Sequence, residues 1–168
     1  KLSPRFRKFL AIVTLFALAN FTYMFFILKA QATFNNYTTP ILFYLFYNVS
    51  YVIFAIPSGI LSDNIGRKKV LTIGYTIFAL TCLGFALISS TFTEFTVLFI
   101  FYGLAHALIS SNQRAFAADL ASKELGTALG TFYMAIGLAA LPAGLIAGYL
   151  WKINPSSTVF YGAAVAFL

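Results

Sequence analysis

The amino-acid sequence predicts an all-α protein, a polytopic bundle of membrane helices. Three observations predict it. Of the 168 residues, 61% are hydrophobic and only 9% charged, whereas soluble domains carry roughly 25% charged residues. The apolar residues fall into runs of about 20, the length of helix that crosses a bilayer core. The basic residues collect in the links between alternate runs, as membrane topology demands. A mean hydropathy of +0.89 agrees with this class.

The composition also excludes other classes. A net charge of +7 would suit a nucleic-acid partner, but the basic residues lie between apolar runs and not on one continuous face, so none is expected. One cysteine, Cys82, leaves no internal disulfide and sits in an apolar run as a small packing residue. No cluster of metal-ligand type exists, and no metal or cofactor is implied. The chain has no starting methionine, and no small-residue cleavage site follows the first run, which is therefore expected to be a helix and not a signal peptide.

The elements follow in order. Ser3-Pro4 reads as an N-cap and first helical position ahead of the basic cluster Arg5, Arg7 and Lys8. The first span is expected over 9–28, with Asn20, Thr22 and Tyr23 near mid-depth and Lys29 and Gln31 ending it. Thr39-Pro40 repeats the cap-then-proline start, and a second span over 40–61 places Tyr44, Asn48 and Tyr51 on one helical face. Pro57 should bend that helix near its end. A third span over 70–89 is almost wholly apolar. Residues 89–94 form a short turn before a fourth span over 95–115, which carries Tyr102 and His106 and grows polar through Arg114 to Asp119. A fifth span over 127–151 is rich in small residues. Gly126 with Gly130, and Gly144 with Gly148, have the spacing that lets helices approach closely in lipid. Pro142 should bend this helix too, and Trp151 suits an interfacial aromatic belt. A sixth span over 158–168 would rise only about 17 Å as a helix, so the last helix is expected to be truncated.

Lys1, Arg5, Arg7, Lys8, Arg67, Lys68, Lys69, Arg114 and Lys123 fall on one side, and Lys29 and Lys152 on the other. The richer side is expected to be cytoplasmic, with the N-terminus of this chain inside.

The most informative stretch joins spans two and three. It reads Gly59, Leu61, Asp63, Gly66, Arg67, Lys68 and Leu71 at the spacing G-x-L-x-D-x-x-G-R-K-x-x-L. Its glycines permit uncommon backbone geometry and close approach. Asp63 opposes the dipole at the end of its own helix and so should serve a partner. The pattern resembles the signature loop of the major facilitator superfamily, without departure at those seven positions. Looser likeness extends over nearly the whole chain. Pro4-Arg5-Phe6 with Leu18-Ala19-Asn20-Phe21 resembles the family's seventh helix. Arg114 to Leu120 followed by Gly126 to Gly130 resembles its tenth-to-eleventh region, and Phe160-Tyr161-Gly162-Ala163 resembles the start of the twelfth.

The resemblance implies one six-helix half of the family's fold, the C-terminal one, built from two inverted three-helix repeats. It implies a single transmembrane domain over 1–168 in the cell membrane. It also implies, as partners, a small-molecule substrate, membrane lipid and an N-terminal six-helix half lying outside this sequence; coupling to protons, through His106 or that other half, and uncoupled movement both stay open. By resemblance, Gly59, Asp63, Gly66, Arg67, Lys68 and Asp119 form the signature loop and a cytoplasmic charge network. In that network Asp63 and Arg67 latch the outward-facing state, and Asp119 pairs with Arg67. The family's seventh, eighth, tenth and eleventh helices face a central cavity. Spans one, two and four carry the mid-depth polar groups, which makes Asn20, Tyr23, Asn48, Tyr51, Tyr102 and His106 the candidate lining.

Each has a second reading. The asparagines serve equally as hydrogen-bonding glue between helices. The tyrosines serve as packing residues. His106 is either a proton site or a neutral imidazole bonded to a backbone carbonyl. The implied function is secondary active transport of a small organic solute by alternating access. The alternatives are a non-transporting scaffold or sensor on the same fold, or a six-helix intramembrane protease. No G-x-S-G nucleophile motif occurs for the last, and no enzyme is expected.

Overall fold

In this computed structural model, residues 3–19, 23–87, 90–121 and 124–167 are described. They form α-helices and short links: α1 (Pro4–Ala19), α2 (Met24–Phe34), α3 (Thr38–Ile65), α4 (Arg67–Leu87), α5 (Phe92–Asp119), α6 (Leu125–Ile153) and α7 (Pro155–Ala166). Five segments are long and apolar enough to cross a membrane: Pro4–Phe34, which takes in α1 and α2, and the helices α3, α4, α5 and α6.

Side-chain caps set several boundaries, and some differ from the sequence expectation. Ser3 Oγ accepts from the Phe6 amide at 3.2 Å and opens α1 as expected. α2 runs on to Phe34, past Lys29 and Gln31, because the Lys29 ammonium donates to the Phe85 carbonyl in the last turn of α4. A charge with a partner need not end a helix. α3 starts at Thr38, capped by Asn36 Oδ1 on the Thr39 amide at 2.8 Å, so Thr39 is not the cap. Pro40 then falls in the first turn, where amides lack helical partners anyway. α5 opens on a capping box: Thr91 Oγ1 accepts from the Glu94 amide at 3.3 Å, and Glu94 Oε2 accepts from the Thr91 amide at 3.0 Å. α7 begins three residues earlier than expected, because Asn154 Oδ1 caps it on the Ser156 amide at 2.9 Å ahead of Pro155.

The helices pack around an aromatic core. Phe26, Phe43, Phe85, Phe95 and Phe99 are fully buried between α2, α3, α4 and α5. Phe43 stacks on Phe99 with centroids 5.5 Å apart, and Phe26 on Phe85 at 4.4 Å. A second cluster lies toward the basic end, where Phe9 of α1 meets Phe116 of α5 edge-on at 4.9 Å and Phe132 of α6 at 6.3 Å.

Helix directions follow from the contacts. Ser50 and Ser58 of α3 meet α5 at Ile100 and Ala107, so these two helices run parallel. Tyr75 of α4 meets Gln113, and Arg67 meets Asp119, so α4 runs antiparallel to α5. Close approach is built on glycine at Gly74 and Gly103, and also at Gly84, where a Cβ would meet the Leu98 side chain. A Cβ on Gly103 would lie 2.5 Å from the Tyr47 carbonyl oxygen and 2.8 Å from Ser50 Cβ. A Cβ on Gly74 would lie 2.8 Å from Ile109 Cγ1. Only 22% of the apolar window of α3 and 17% of that of α6 are buried, against 44% and 50% for α4 and α5. The bundle therefore presents open apolar faces on α3 and α6.

Candidate functional site

The polar groups of α3 divide between its buried side and the border of its open face. On the buried side, short side chains sew α3 to α5. Ser50 Oγ donates to the Ile100 carbonyl at 2.7 Å, and Ser58 Oγ to the Ala107 carbonyl at 3.0 Å. Buried Asn112 donates through Nδ2 to Ser58 Oγ at 3.0 Å and to the Leu108 carbonyl at 2.8 Å. Unpaired polar groups are costly in apolar surroundings, and this network satisfies its members within the bundle.

The border stripe is different. Tyr44, Asn48 and Tyr51 are all half-buried, beside the exposed Leu45, Val49 and Val52. Tyr23, just before α2, stacks on Tyr44 with centroids 5.1 Å apart, and Tyr44 stacks on Tyr47 at 5.8 Å. Half-buried His106 of α5 joins the row: its Nδ1 lies 3.3 Å from the Tyr47 hydroxyl, and its ring is 5.2 Å from that of Tyr51. The Tyr51 hydroxyl lies 3.4 Å from Ser110 Oγ. Four of the expected lining residues, Tyr23, Asn48, Tyr51 and His106, thus come together on one face. Asn48 bonds within its own helix, to the Tyr44 carbonyl at 2.7 Å, and not to a neighbouring one. His106 is bonded to a tyrosine hydroxyl, where a backbone carbonyl was the alternative.

Tyr102 differs from its expected place. It is only 3% exposed and wedged between Phe26, Tyr47 and Phe78, so it supports the row from behind. Tyr47 was missed by sequence reasoning although it lies one turn from Tyr51 and, with it, within ring-contact distance of His106. Asn20 lies outside the described residues, as do Thr22, Lys1 and Lys123.

The charged turn is tighter than its sequence pattern suggests. α3 ends at Ile65, α4 starts at Arg67, and Gly66 alone separates them at φ 93°, its amide bonded to the Ser62 carbonyl at 3.0 Å. Gly59 lies inside α3, and a Cβ there would meet nothing within 4 Å, so it supplies neither unusual geometry nor close approach in this chain. Arg67 Nε donates to Asp119 Oδ2, tying the start of α4 to the end of α5. The side chains of Asp63 and Lys68 are exposed beside this pair without a hydrogen-bond or ion-pair partner among the described residues. Asp63, Gly66, Arg67, Lys68 and Asp119 line one open depression.

The glycine pairs of α6 also fall outside the packing of this chain. Gly126, Gly130, Gly144 and Gly148 are exposed, and a Cβ on any of them would meet nothing within 4 Å. α6 instead buries Ala128, Phe132, Ala139, Ala143 and Ala147. The spacing of the glycines was visible in the sequence, but the register of alanine and phenylalanine decides which side faces inward.

Comparison with known proteins agrees with the motif and the all-helical fold. A family profile for the Major Facilitator Superfamily matches residues 9–168. The chain is 47% identical to an uncharacterised MFS-type transporter of Methanocaldococcus jannaschii over 174 aligned residues, which cover 99% of this chain and 44% of that protein. It is 33% identical to a bicyclomycin resistance protein homologue of Haemophilus influenzae over 106 residues, which cover 61% of this chain and 26% of that protein. The chain thus spans less than half the length of these curated relatives. No solved structure matches it significantly. With its signature turn, its membrane helices and a profile match over nearly its whole length, the chain belongs to the major facilitator superfamily.

Proposed function

We propose that this chain is the C-terminal half of a secondary active transporter that moves a small organic solute across the cell membrane by alternating access. The observation that carries the reading is the half-buried row Tyr23, Tyr44, Tyr51 and His106 bordering an open helix face. Ionisable and polar groups are costly at membrane depth unless they serve a cavity or one another. The open faces of α3 and α6 would meet an N-terminal six-helix half of the same protein, completing the cavity. The basic end of the bundle would face the cytoplasm, since Arg5, Arg7, Lys8, Arg67, Lys68, Lys69 and Arg114 gather there. The relative named for bicyclomycin resistance supports an organic solute, and the family supports a transporter and not an enzyme.

No carboxylate lies in the polar row, so in this half His106 is the group available to carry a coupled proton. The test is solute uptake by the native polypeptide in proteoliposomes, with His106→Gln beside it. The expected outcome is saturable uptake whose pH dependence flattens in His106→Gln. Unchanged pH dependence would remove the proton role, and absence of any flux across a broad solute panel would favour a non-transporting scaffold on this fold.

A further inference from the structure

The row described above has a chemistry specific enough to name a class of solute. Three features define it. The rings of Tyr23, Tyr44 and Tyr47 lie nearly parallel, with interplanar angles of 21° to 27° and centroids 5.1 to 6.1 Å apart, which makes a layered apolar wall. Behind it, buried Tyr102 packs 5.1 Å from Tyr47, so the wall is preorganised and little rotamer freedom remains to be lost on binding. At the end of the wall, Tyr47 and Tyr51 flank His106.

With His106 unprotonated the polar groups there are neutral, and their roles follow from basicity. A phenol is a better donor than a neutral imidazole, so the Tyr47 hydroxyl donates to His106 Nδ1, 3.3 Å away. That bond places the imidazole proton on Nε2, which has no hydrogen-bond partner among the described residues. The row thus offers one N–H donor beside stacked rings. The acids Asp63, Glu94, Asp119 and Glu124 all stand at helix ends. A cationic solute would find ring faces but no counter-ion, and an anionic one would find only neutral donors, the imidazole N–H and a tyrosine hydroxyl. Either would pay desolvation that the row cannot offset.

We infer that the Tyr23–Tyr44–Tyr47–His106 row is a subsite for an uncharged, planar aromatic solute carrying a hydrogen-bond acceptor, its ring laid against the half-buried Tyr23 and Tyr44, which buried Tyr47 backs, and its acceptor on His106 Nε2. This rests on the reading of that face as the solute site. An aromatic partner gains offset stacking beyond simple burial, and the acceptor sets its orientation.

The probes are three indoles with one ring and different tails: indole-3-acetamide, neutral with a carbonyl acceptor; tryptamine, cationic; and indole-3-acetate, anionic. Binding to the purified native polypeptide is measured by titration calorimetry. Indole-3-acetamide should bind at least tenfold tighter than either charged probe. Tyr44→Ala and His106→Ala should each weaken it about tenfold, Tyr44→Phe should retain it, and Tyr37→Ala, on an exposed ring outside the row, should leave it unchanged. Tyr44→Phe and Tyr37→Ala guard against a loss caused by misfolding. Tighter binding of a charged probe that Tyr44→Ala abolishes would overturn the solute class while leaving the site in place. Binding indifferent to Tyr44 and His106 would overturn the site itself. No binding of any probe would overturn the class.

Discussion

Gly103 and Gly130 show how differently one residue type acts at two places in a bundle. Gly103 lets α3 and α5 meet backbone to backbone, with the Tyr47 carbonyl oxygen 2.5 Å from where its Cβ would lie. Gly103→Ala should therefore cost about 1–3 kcal/mol of stability, the range for overpacking a well-filled interior. Gly130→Ala should cost nothing within this half, because nothing stands within 4 Å of its Cβ position. Thermal unfolding of the purified protein in detergent checks the pair; equal losses would mean that Gly130 is packed by something outside this chain. At this scale the sequence was only partly legible. The signature turn was readable because charge is rare in such a chain, at 9% of its residues. The serines and asparagine joining α3 to α5 were not. Ser50, Ser58 and Asn112 are small polar residues within apolar runs, and only their partners across the helix interface give them meaning.

Among the elements, the α3–α4 turn and the end of α5 form the candidate moving part. The Arg67–Asp119 pair is partly exposed, with side chains 29% and 51% accessible, and such pairs contribute only about 0–1 kcal/mol. Its use would then be in the rate of state exchange and not in holding the fold. Asp63→Asn should slow exchange while leaving solute affinity within about twofold, and Arg67→Asp should do likewise until rescued by Asp119→Arg. Exchange is read from flux and affinity from equilibrium binding. Collapsed binding with unchanged exchange would contradict the latch. Element boundaries were legible where a cap announced itself, as at Ser3-Pro4, and less so where a nearby residue did the capping. Asn36 and Asn154 each open a helix with a side-chain oxygen, and neither was read as a cap. Asn154-Pro155 carries the same signal as Ser3-Pro4, followed by the polar Ser156 and Ser157. Lys29 reads as a stop in the sequence, yet its carbonyl partner on α4 lets α2 continue.

For the whole molecule, composition was decisive. A chain with 61% hydrophobic and 9% charged residues has too little polar surface for water, and helix is the local solution that satisfies every backbone group in lipid. What composition could not give is which helix faces remain uncovered. That follows from register: α6 turns Ala128, Ala139, Ala143 and Ala147 inward and its five glycines outward, and α3 leaves Leu45, Val52 and Ile56 exposed beside its tyrosine row. The central claim is that this row opens to alternate sides of the membrane. Asn48→Cys puts a thiol in it, in a background where any cysteine outside this chain is replaced; Cys82, the one cysteine of this chain, is fully buried and should stay silent. The most direct measurement is labelling of that thiol by a membrane-impermeant maleimide, applied from each side in turn to the native polypeptide in oriented vesicles. Alternating access predicts labelling from both sides, with an Asp63→Asn background shifting the ratio between them. Labelling from one side only, unchanged by Asp63→Asn, would contradict it.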